Sequence, residues 1–328
     1  MDIKKEFRNL LIFLGLIVII PVAPLSFGGT QYSKNRIIHN EWKKSKHSQT
    51  QKDVAKELAN SRVGQTPAEV IGGPDAENCI GCHGPTAVLA NGGMTEARTL
   101  AYFFTTKNGK FTAKTKPSRM AKWPGVSCAV CHNPKNPTQP VYFNSATKQY
   151  ETIDDSSKLC GMCHGNLRFP GTDHLSYNII QGTGGVGVPD QKNMAGTSCT
   201  DCHMYNTKSD SSNYFGHTLS VIVKKKGSVS ASCTNCHSSM DAKSSSQTIA
   251  QWKEDFQNLD AQAQDLVGKA TEALKGSSDS ALLSKLDEAE KNLTYAESDE
   301  SGGVHNHEYL LALLNDSIAR AQEILADN

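Results

Sequence analysis

The stretch Cys128-Ala-Val-Cys131-His132 is one of five copies of the same short pattern in this chain. The other copies are Cys79-Ile-Gly-Cys82-His83, Cys160-Gly-Met-Cys163-His164, Cys199-Thr-Asp-Cys202-His203 and Cys233-Thr-Asn-Cys236-His237. Together the five motifs contain all ten cysteines of the 328-residue sequence. Cys-x-x-Cys-His is typical of a c-type haem attachment site, in which both thiols form thioethers with the haem vinyl groups. The histidine then ligates the iron as its proximal ligand, so the pattern predicts five covalently bound haem c groups.

Three other interpretations explain the cysteines less well. A disulfide scaffold does not account for the histidine that follows every pair. A tetrahedral zinc site needs two such pairs, and five pairs would leave one over. A thioredoxin-like redox pair is normally a single pair beside a strand and a helix. Haem attachment is therefore the interpretation that explains all five cysteine pairs together with the histidine that follows each of them.

The remaining histidines are candidates for the second, distal position on each iron. An iron that only carries electrons usually holds two strong protein ligands, whereas one that binds substrate keeps a position open. Methionines 94, 120 and 204 are less favoured as ligands. No catalytic residue is predicted. The six candidate distal ligands are His39, His47, His174, His217, His305 and His307.

The chain divides into three predicted segments. Residues 1–28 carry a basic flank followed by an apolar run over residues 10–27, which predicts either a signal peptide or an N-terminal membrane anchor. Residues 29–245 form the predicted haem domain, whose loop-rich composition suits a core supplied largely by porphyrin. We therefore expect an exported protein in the periplasm or at the extracellular face, with anchoring to the cytoplasmic membrane left open. The formal net charge of +1 argues against a nucleic-acid partner.

Residues 246–328 form the third segment, a predicted helical tail. Apolar residues recur at three- and four-residue steps in three stretches, which predicts three helices with short connections and antiparallel packing. The tail packs on its own haem domain or forms an interface between subunits, and the pattern leaves both open. Basic residues exceed acidic ones in residues 29–249, which suits either the haem propionates or an acidic redox partner.

Three phrases resemble the superfamily of pentahaem cytochrome c nitrite reductases and octahaem hydroxylamine oxidoreductases. They are Gly125-Val-Ser-Cys-Ala-Val-Cys-His-Asn-Pro134, Trp42-Lys-Lys-Ser-Lys-His47 and Val304-His-Asn-His-Glu-Tyr309. The resemblance implies a mainly α, loop-rich multihaem fold with little β structure, ending in a hairpin or bundle of long helices. It also implies closely spaced haems and distal-ligand roles for His47, His217 and His305.

The sequence departs from that superfamily at the expected catalytic haem. The ammonia-forming nitrite reductases typically carry Lys in place of His in that motif, whereas all five motifs here end in His. We therefore expect an electron carrier with mostly bis-histidine haems, serving unknown donor and acceptor proteins in the envelope. The alternatives are a nitrite or hydroxylamine reductase with one open haem, and a subunit of an extracellular cytochrome filament, which these features also resemble.

Overall fold

The computed structural model describes most of the chain beyond its N-terminal segment. The described residues are 29–50, 64–66, 82–83, 106–112, 125–133, 136–144, 149–167, 174–192, 196–209, 212–225 and 228–327. The predicted signal or anchor at residues 1–28 and the first cysteine, Cys79, lie outside these ranges. Elements are numbered below in the order in which the described residues form them.

Short helices and small hairpins make up the described residues before position 240. The helices are α1 (Gly29–Trp42), a 3-10 turn (Lys46–Gln49), α2 (Cys128–Cys131), α3 (Ser156–Gly161), α4 (Ser176–Gln181), α5 (Cys199–His203) and a second 3-10 turn (Ser232–Asn235). The strands are β1 (Thr106–Lys107), β2 (Lys110–Phe111), β3 (His132–Asn133), β4 (Asn136–Asn144), β5 (Gln149–Thr152), β6 (Thr207–Ser209), β7 (Ser212–Tyr214), β8 (Ile222–Lys225) and β9 (Ser228–Ala231). All pairings among these strands are antiparallel, and the largest sheet has the order β3-β4-β5.

Three long helices form the C-terminal part: α6 (Ala242–Ala273), α7 (Ser280–Glu297) and α8 (His307–Asp327). Helix α8 packs against both α6 and α7. The first helix begins at Ala242, four residues before the predicted start of the tail, because Asp241 and Ser244 form a capping box there. Asp279 caps α7 in the same way, accepting hydrogen bonds from two backbone N–H groups of its first turn.

The bundle buries one apolar stripe from each of its helices, as the sequence pattern predicts. The fully buried positions of α8 recur every three or four residues, so they fall on one face of the helix. They are Tyr309, Leu310, Leu313, Leu314, Ser317, Ala321 and Ile324. Burying this much apolar surface in one place makes the bundle the main hydrophobic core among the described residues.

The loop at residues 182–191 attaches the bundle to the preceding segment. Tyr309 accepts a hydrogen bond from the backbone N–H of Gly185 at 2.8 Å. Asn292, which is fully buried, accepts one from the N–H of Val186 at 2.7 Å and donates one to its carbonyl at 2.9 Å. These contacts show the tail packing on its own chain, one of the two arrangements predicted, while a subunit interface stays a prediction.

The predicted fold class is confirmed: the protein is mainly α-helical, with short strands, many loops and a bundle of long C-terminal helices. The described strands contain two to nine residues each. None of the helices within the described ranges combines the length and the apolar character needed to span a membrane.

Candidate haem centre

The described cysteine motifs share one local conformation. A helical turn lets the backbone N–H of the histidine bond to the carbonyl of the first cysteine, as in His164 to Cys160 at 2.9 Å and His237 to Cys233 at 2.8 Å. Residues three apart on such a turn lie on the same face. The two thiols of a motif therefore point to one side, as attachment to a single porphyrin requires.

The nine cysteines within the described ranges are all free thiols. Thiols from neighbouring motifs come close without forming disulfides: the thiols of Cys160 and Cys199 are hydrogen-bonded to each other. The pairs are thus not used for a disulfide framework in this part of the chain, and every described thiol is available for a thioether bond.

Four of the five motif histidines lie opposite a histidine from elsewhere in the chain. The ring centroids of these pairs are all separated by about the same distance, although the partners come from different elements. The pairs are His83 with His174 at 6.1 Å, His132 with His217 at 6.3 Å, His164 with His47 at 5.8 Å and His203 with His305 at 5.9 Å.

This spacing fits a metal ion held between two imidazoles. A metal–imidazole nitrogen bond is about 2 Å and the nitrogen lies roughly 1 Å from its ring centre, so two opposed rings on one metal are about 6 Å apart. The residues present therefore fit an axially ligated haem iron at four places.

Hydrogen bonds to Nδ1 orient several of these rings. In each case the partner is an oxygen, so Nδ1 carries the proton and Nε2 is left as the atom that can bind a metal. The pairs are His174 with Glu300 at 2.9 Å, His203 with the Leu219 carbonyl at 2.8 Å, His217 with the Phe215 carbonyl at 2.9 Å and His305 with Asp299 at 2.7 Å.

His47 is placed by contacts that reach two other motifs. Its carbonyl accepts a hydrogen bond at 2.7 Å from the N–H of Val126, just before the second motif. Thr50 donates its hydroxyl proton to the carbonyl of His83 in the first motif at 2.8 Å. The 3-10 turn that carries His47 is therefore fixed between two motifs while its ring faces a third.

The loop that carries His217 is organised by a buried carboxylate. Glu41, only 7% exposed, accepts hydrogen bonds from the backbone N–H groups of Phe215 and His217. Between them Gly216 adopts a φ of +78°, and a side chain there would collide with the backbone of Met204. Only glycine allows this close turn, which aims His217 at His132.

The other two predicted distal ligands lie against tryptophans instead. His39 stacks on Trp42 with centroids 5.7 Å apart, and His307 stacks on Trp252 at 5.2 Å. His307 also bonds through Nδ1 to the Gly303 carbonyl at 2.9 Å. The structure brings neither of them opposite a motif histidine.

Comparison with known proteins agrees with this geometry. The sequence model of the cytochrome c552 family matches residues 186–326. The crystal structure of the outer cell wall cytochrome OcwA superposes with a TM-score of 0.54 at 22% identity, covering 87% of this chain and 50% of that one. This chain shares the fold of multihaem c-type cytochromes. It spans half the length of OcwA.

Two multihaem cytochromes align less closely with this chain. Cytochrome c nitrite reductase NrfA from Desulfovibrio desulfuricans has a TM-score of 0.44 at 16% identity, covering 76% of this chain and 65% of that one. An undecahaem cytochrome from the S-layer of Carboxydothermus ferrireducens has a TM-score of 0.41 at 19% identity, covering 80% and 40%. No curated protein sequence matches this chain.

Burial favours the neutral form of four of the eight opposed histidines, which is the form that binds metals. Burial, followed by the charges of the neighbouring His164, His203 and His83, lowers the pKa of His47 to about 4. Burial likewise lowers the pKa values of His164, His203 and His217.

His305 differs because it faces an anion. Burial alone would lower its pKa, but the hydrogen bond and the negative charge of Asp299 outweigh burial and raise it. The side chain of Asp299 is fully buried and is also bonded to the hydroxyls of Ser176 and Ser301. Asp299 is therefore held as a fixed acceptor behind the ring of His305.

Sequence reasoning missed the carboxylates that orient these rings: Glu41, Asp299 and Glu300. Glu41 lies 176 residues from His217, so no local pattern links the two. Asp299 and Glu300 precede the Gly302-Gly303 turn, and two acids in a turn next to a candidate ligand were an available but weak signal.

Proposed function

We propose that this cytochrome is an exported electron carrier with five haems, four of which are ligated by two histidines of the same chain. The four opposed histidine pairs carry the proposal, because an iron with two imidazole ligands has no position left for a substrate. The haem supplies the one-electron chemistry when bound. The protein supplies its ligands, its position and its surroundings.

The ligand sets follow from the pairs. His83, His132, His164 and His203 serve as proximal ligands, and their distal partners are His174, His217, His47 and His305, in the same order. The fifth motif contributes Cys233, Cys236 and His237. No residue of these sets is proposed as catalytic.

Contacts between consecutive motifs support an electron path through the molecule. The Cys160 and Cys199 thiols of the third and fourth motifs touch, and the Ser156 hydroxyl bonds to that of Thr200 at 3.0 Å. Ser232, just before the fifth motif, bonds to the Cys202 thiol of the fourth. Haems attached to such neighbouring motifs would lie close enough for short electron steps.

The proposed location and partners are inferred from the predicted export segment and from the fold shared with OcwA. Residues 1–28 would direct export and residues 10–27 would serve as an optional anchor. OcwA, which shares the fold, is an outer cell wall cytochrome. Donor and acceptor would be redox proteins of the envelope, and the C-terminal helices would offer a surface for a second copy.

The haem count is the first test. Mass spectrometry of the intact mature protein is expected to show five covalent haem additions, because each motif carries both thiols. A double variant, Cys128→Ser with Cys131→Ser, is expected to carry four. Fewer than five haem additions on the wild-type protein would contradict the proposed number of haems. An unchanged mass increment in the double variant would show that the second motif is not an attachment site.

Electron carriage is tested on the same preparation by voltammetry on an electrode. Reversible signals are expected without any substrate, and adding nitrite or hydroxylamine is expected to leave the current unchanged. A large catalytic current with either compound would indicate that the protein is a reductase and not an electron carrier.

Asp299→Asn is expected to raise the potential of one haem. The buried carboxylate makes His305 a stronger donor and favours the oxidised iron, so its loss favours the reduced state. A tenfold change in the equilibrium between oxidised and reduced iron corresponds to about 59 mV for one electron, and we expect a shift in potential of this order. A spectroelectrochemical titration of the variant and the wild type measures it.

Glu300→Gln is the matched control for Asp299→Asn. Glu300 bonds to His174, which faces a different motif, and its side chain is 55% exposed, so water screens its charge. A smaller shift in a different haem is expected. If Asp299→Asn shifts no haem, or shifts the same haem as Glu300→Gln and by no more, the assignment of His305 to the fourth motif is wrong.

A further inference from the structure

The fifth motif is the exception to the pairing. All eleven histidines of the sequence lie among the described residues, and eight of them form the four opposed pairs. His39 and His307 stack on tryptophans. Within the part of the chain that the structure describes, no histidine is therefore placed opposite His237.

The two histidines that stack on tryptophan are not poised to fill this place. The side chain of His307 is only 11% exposed, and its two ring nitrogens face the Gly303 carbonyl and, at 3.8 Å, the Asp255 carboxylate. His39 is exposed on α1, where its ring lies on Trp42. Reaching His237 within one chain would require either of them to abandon these contacts.

The fifth motif also differs from the others in exposure. His237 is exposed, whereas His83, His132, His164 and His203 are all partly buried. The neighbours of His237 from Asn235 to Ser239 are exposed as well. Because equivalent motifs differ in exposure in this way, we infer that the fifth motif holds its haem at the surface, where small molecules have direct access.

The fifth motif nevertheless stays connected to the rest of the haem chain. Ser232 bonds to the Cys202 thiol, and the thiols of Cys202 and Cys233 are close enough to interact electrostatically. A surface haem at this motif would therefore exchange electrons with the bis-histidine haem of the fourth motif.

We propose that the haem attached to Cys233 and Cys236 is ligated by His237 alone and binds small exogenous haem ligands, such as carbon monoxide or cyanide, at the surface. The inference rests on the proposed function, since it assumes a haem at the fifth motif. It goes beyond it by assigning a ligand-binding site to one haem of an electron carrier.

The test uses the intact five-haem protein with carbon monoxide as the probe. The oxidised protein is expected to show one high-spin haem by electron paramagnetic resonance. The reduced protein is expected to bind one carbon monoxide per chain. His217→Ala, which opens the haem of the second motif, is the matched reference and is expected to bind two.

Three results would overturn the inference. An all-low-spin wild type that binds no carbon monoxide would mean that another side chain, such as Met94 or Met120, ligates the fifth iron. A high-spin signal that appears only on dilution, or only in His39→Ala, would assign the sixth position to His39 of a second copy. A single carbon monoxide bound in both wild type and His217→Ala would place the open site on the second motif.

The outcomes also separate this inference from the proposed function. Fewer than five haems by mass would remove the haem count on which both rest. Five haems without carbon monoxide binding would remove only the inference and leave the electron carrier intact.

Discussion

Replacing His305 with Ala is expected to convert one of the proposed haems from low-spin to high-spin. His305 lies opposite His203 at 5.9 Å and is aimed by Asp299, so its loss removes one of two strong ligands from a single iron. One of the four low-spin signals should disappear from the electron paramagnetic resonance spectrum, and the reduced variant should bind one additional carbon monoxide.

His307→Ala is the control, two residues further along the chain. His307 lies on Trp252 and faces no motif histidine, so all four low-spin signals should remain. The two variants have the same change in composition and sit at the start of the same helix. An equal spectral change in both variants would mean that each substitution disturbs the local fold at the start of α8 and that the change does not identify the ligand. A change in His307→Ala alone would assign the ligand role to His307 instead of His305.

Replacing Tyr309 with Ala is expected to lower the free energy of unfolding of the C-terminal bundle by about 3–5 kcal/mol. Tyr309 is fully buried, and its removal leaves a cavity between α8 and the loop at residues 182–191. It also leaves the N–H of Gly185 without its acceptor. Guanidinium denaturation of the holoprotein, followed by far-ultraviolet circular dichroism, measures the change.

Two controls separate the packing of Tyr309 from its hydrogen bond. Tyr309→Phe keeps the ring and removes only the bond to Gly185, so a loss of about 0.5–1.5 kcal/mol is expected. Leu325→Ala changes a side chain of the same helix that is 37% exposed, and it should cost much less than Tyr309→Ala. If Leu325→Ala costs as much, the buried face of α8 is wrongly assigned.

Local patterns were sufficient to predict part of the fold. The apolar stripes of the tail predicted three helices whose bounds agree with α6, α7 and α8 within a few residues, because a period near 3.6 reports a buried helix face directly. The start of α6 was displaced, since the capping box at Asp241 extends the helix by polar residues that carry no apolar signal. The contacts of Asn292 and Tyr309 with the loop before them had no sequence signature.

The sequence by itself was sufficient to predict the haem chemistry and the set of histidines from which the distal ligands could come. Attachment depends on residues three and four positions apart, so the five motifs could be recognised without a fold. Which spare histidine meets which motif depends on chain segments far apart in sequence. His47 faces the third motif rather than the first, and His174 faces the first rather than the third.

Only the tertiary structure decided those pairings, the carboxylates that orient the rings and the isolation of His237. The physical reason is that an axial ligand must approach its iron from the far side, along a direction set by the packing of separate elements. From the sequence alone, six spare histidines could be assigned to five irons in several ways. Packing against Trp42 and Trp252 removes His39 and His307 from the set of distal ligands.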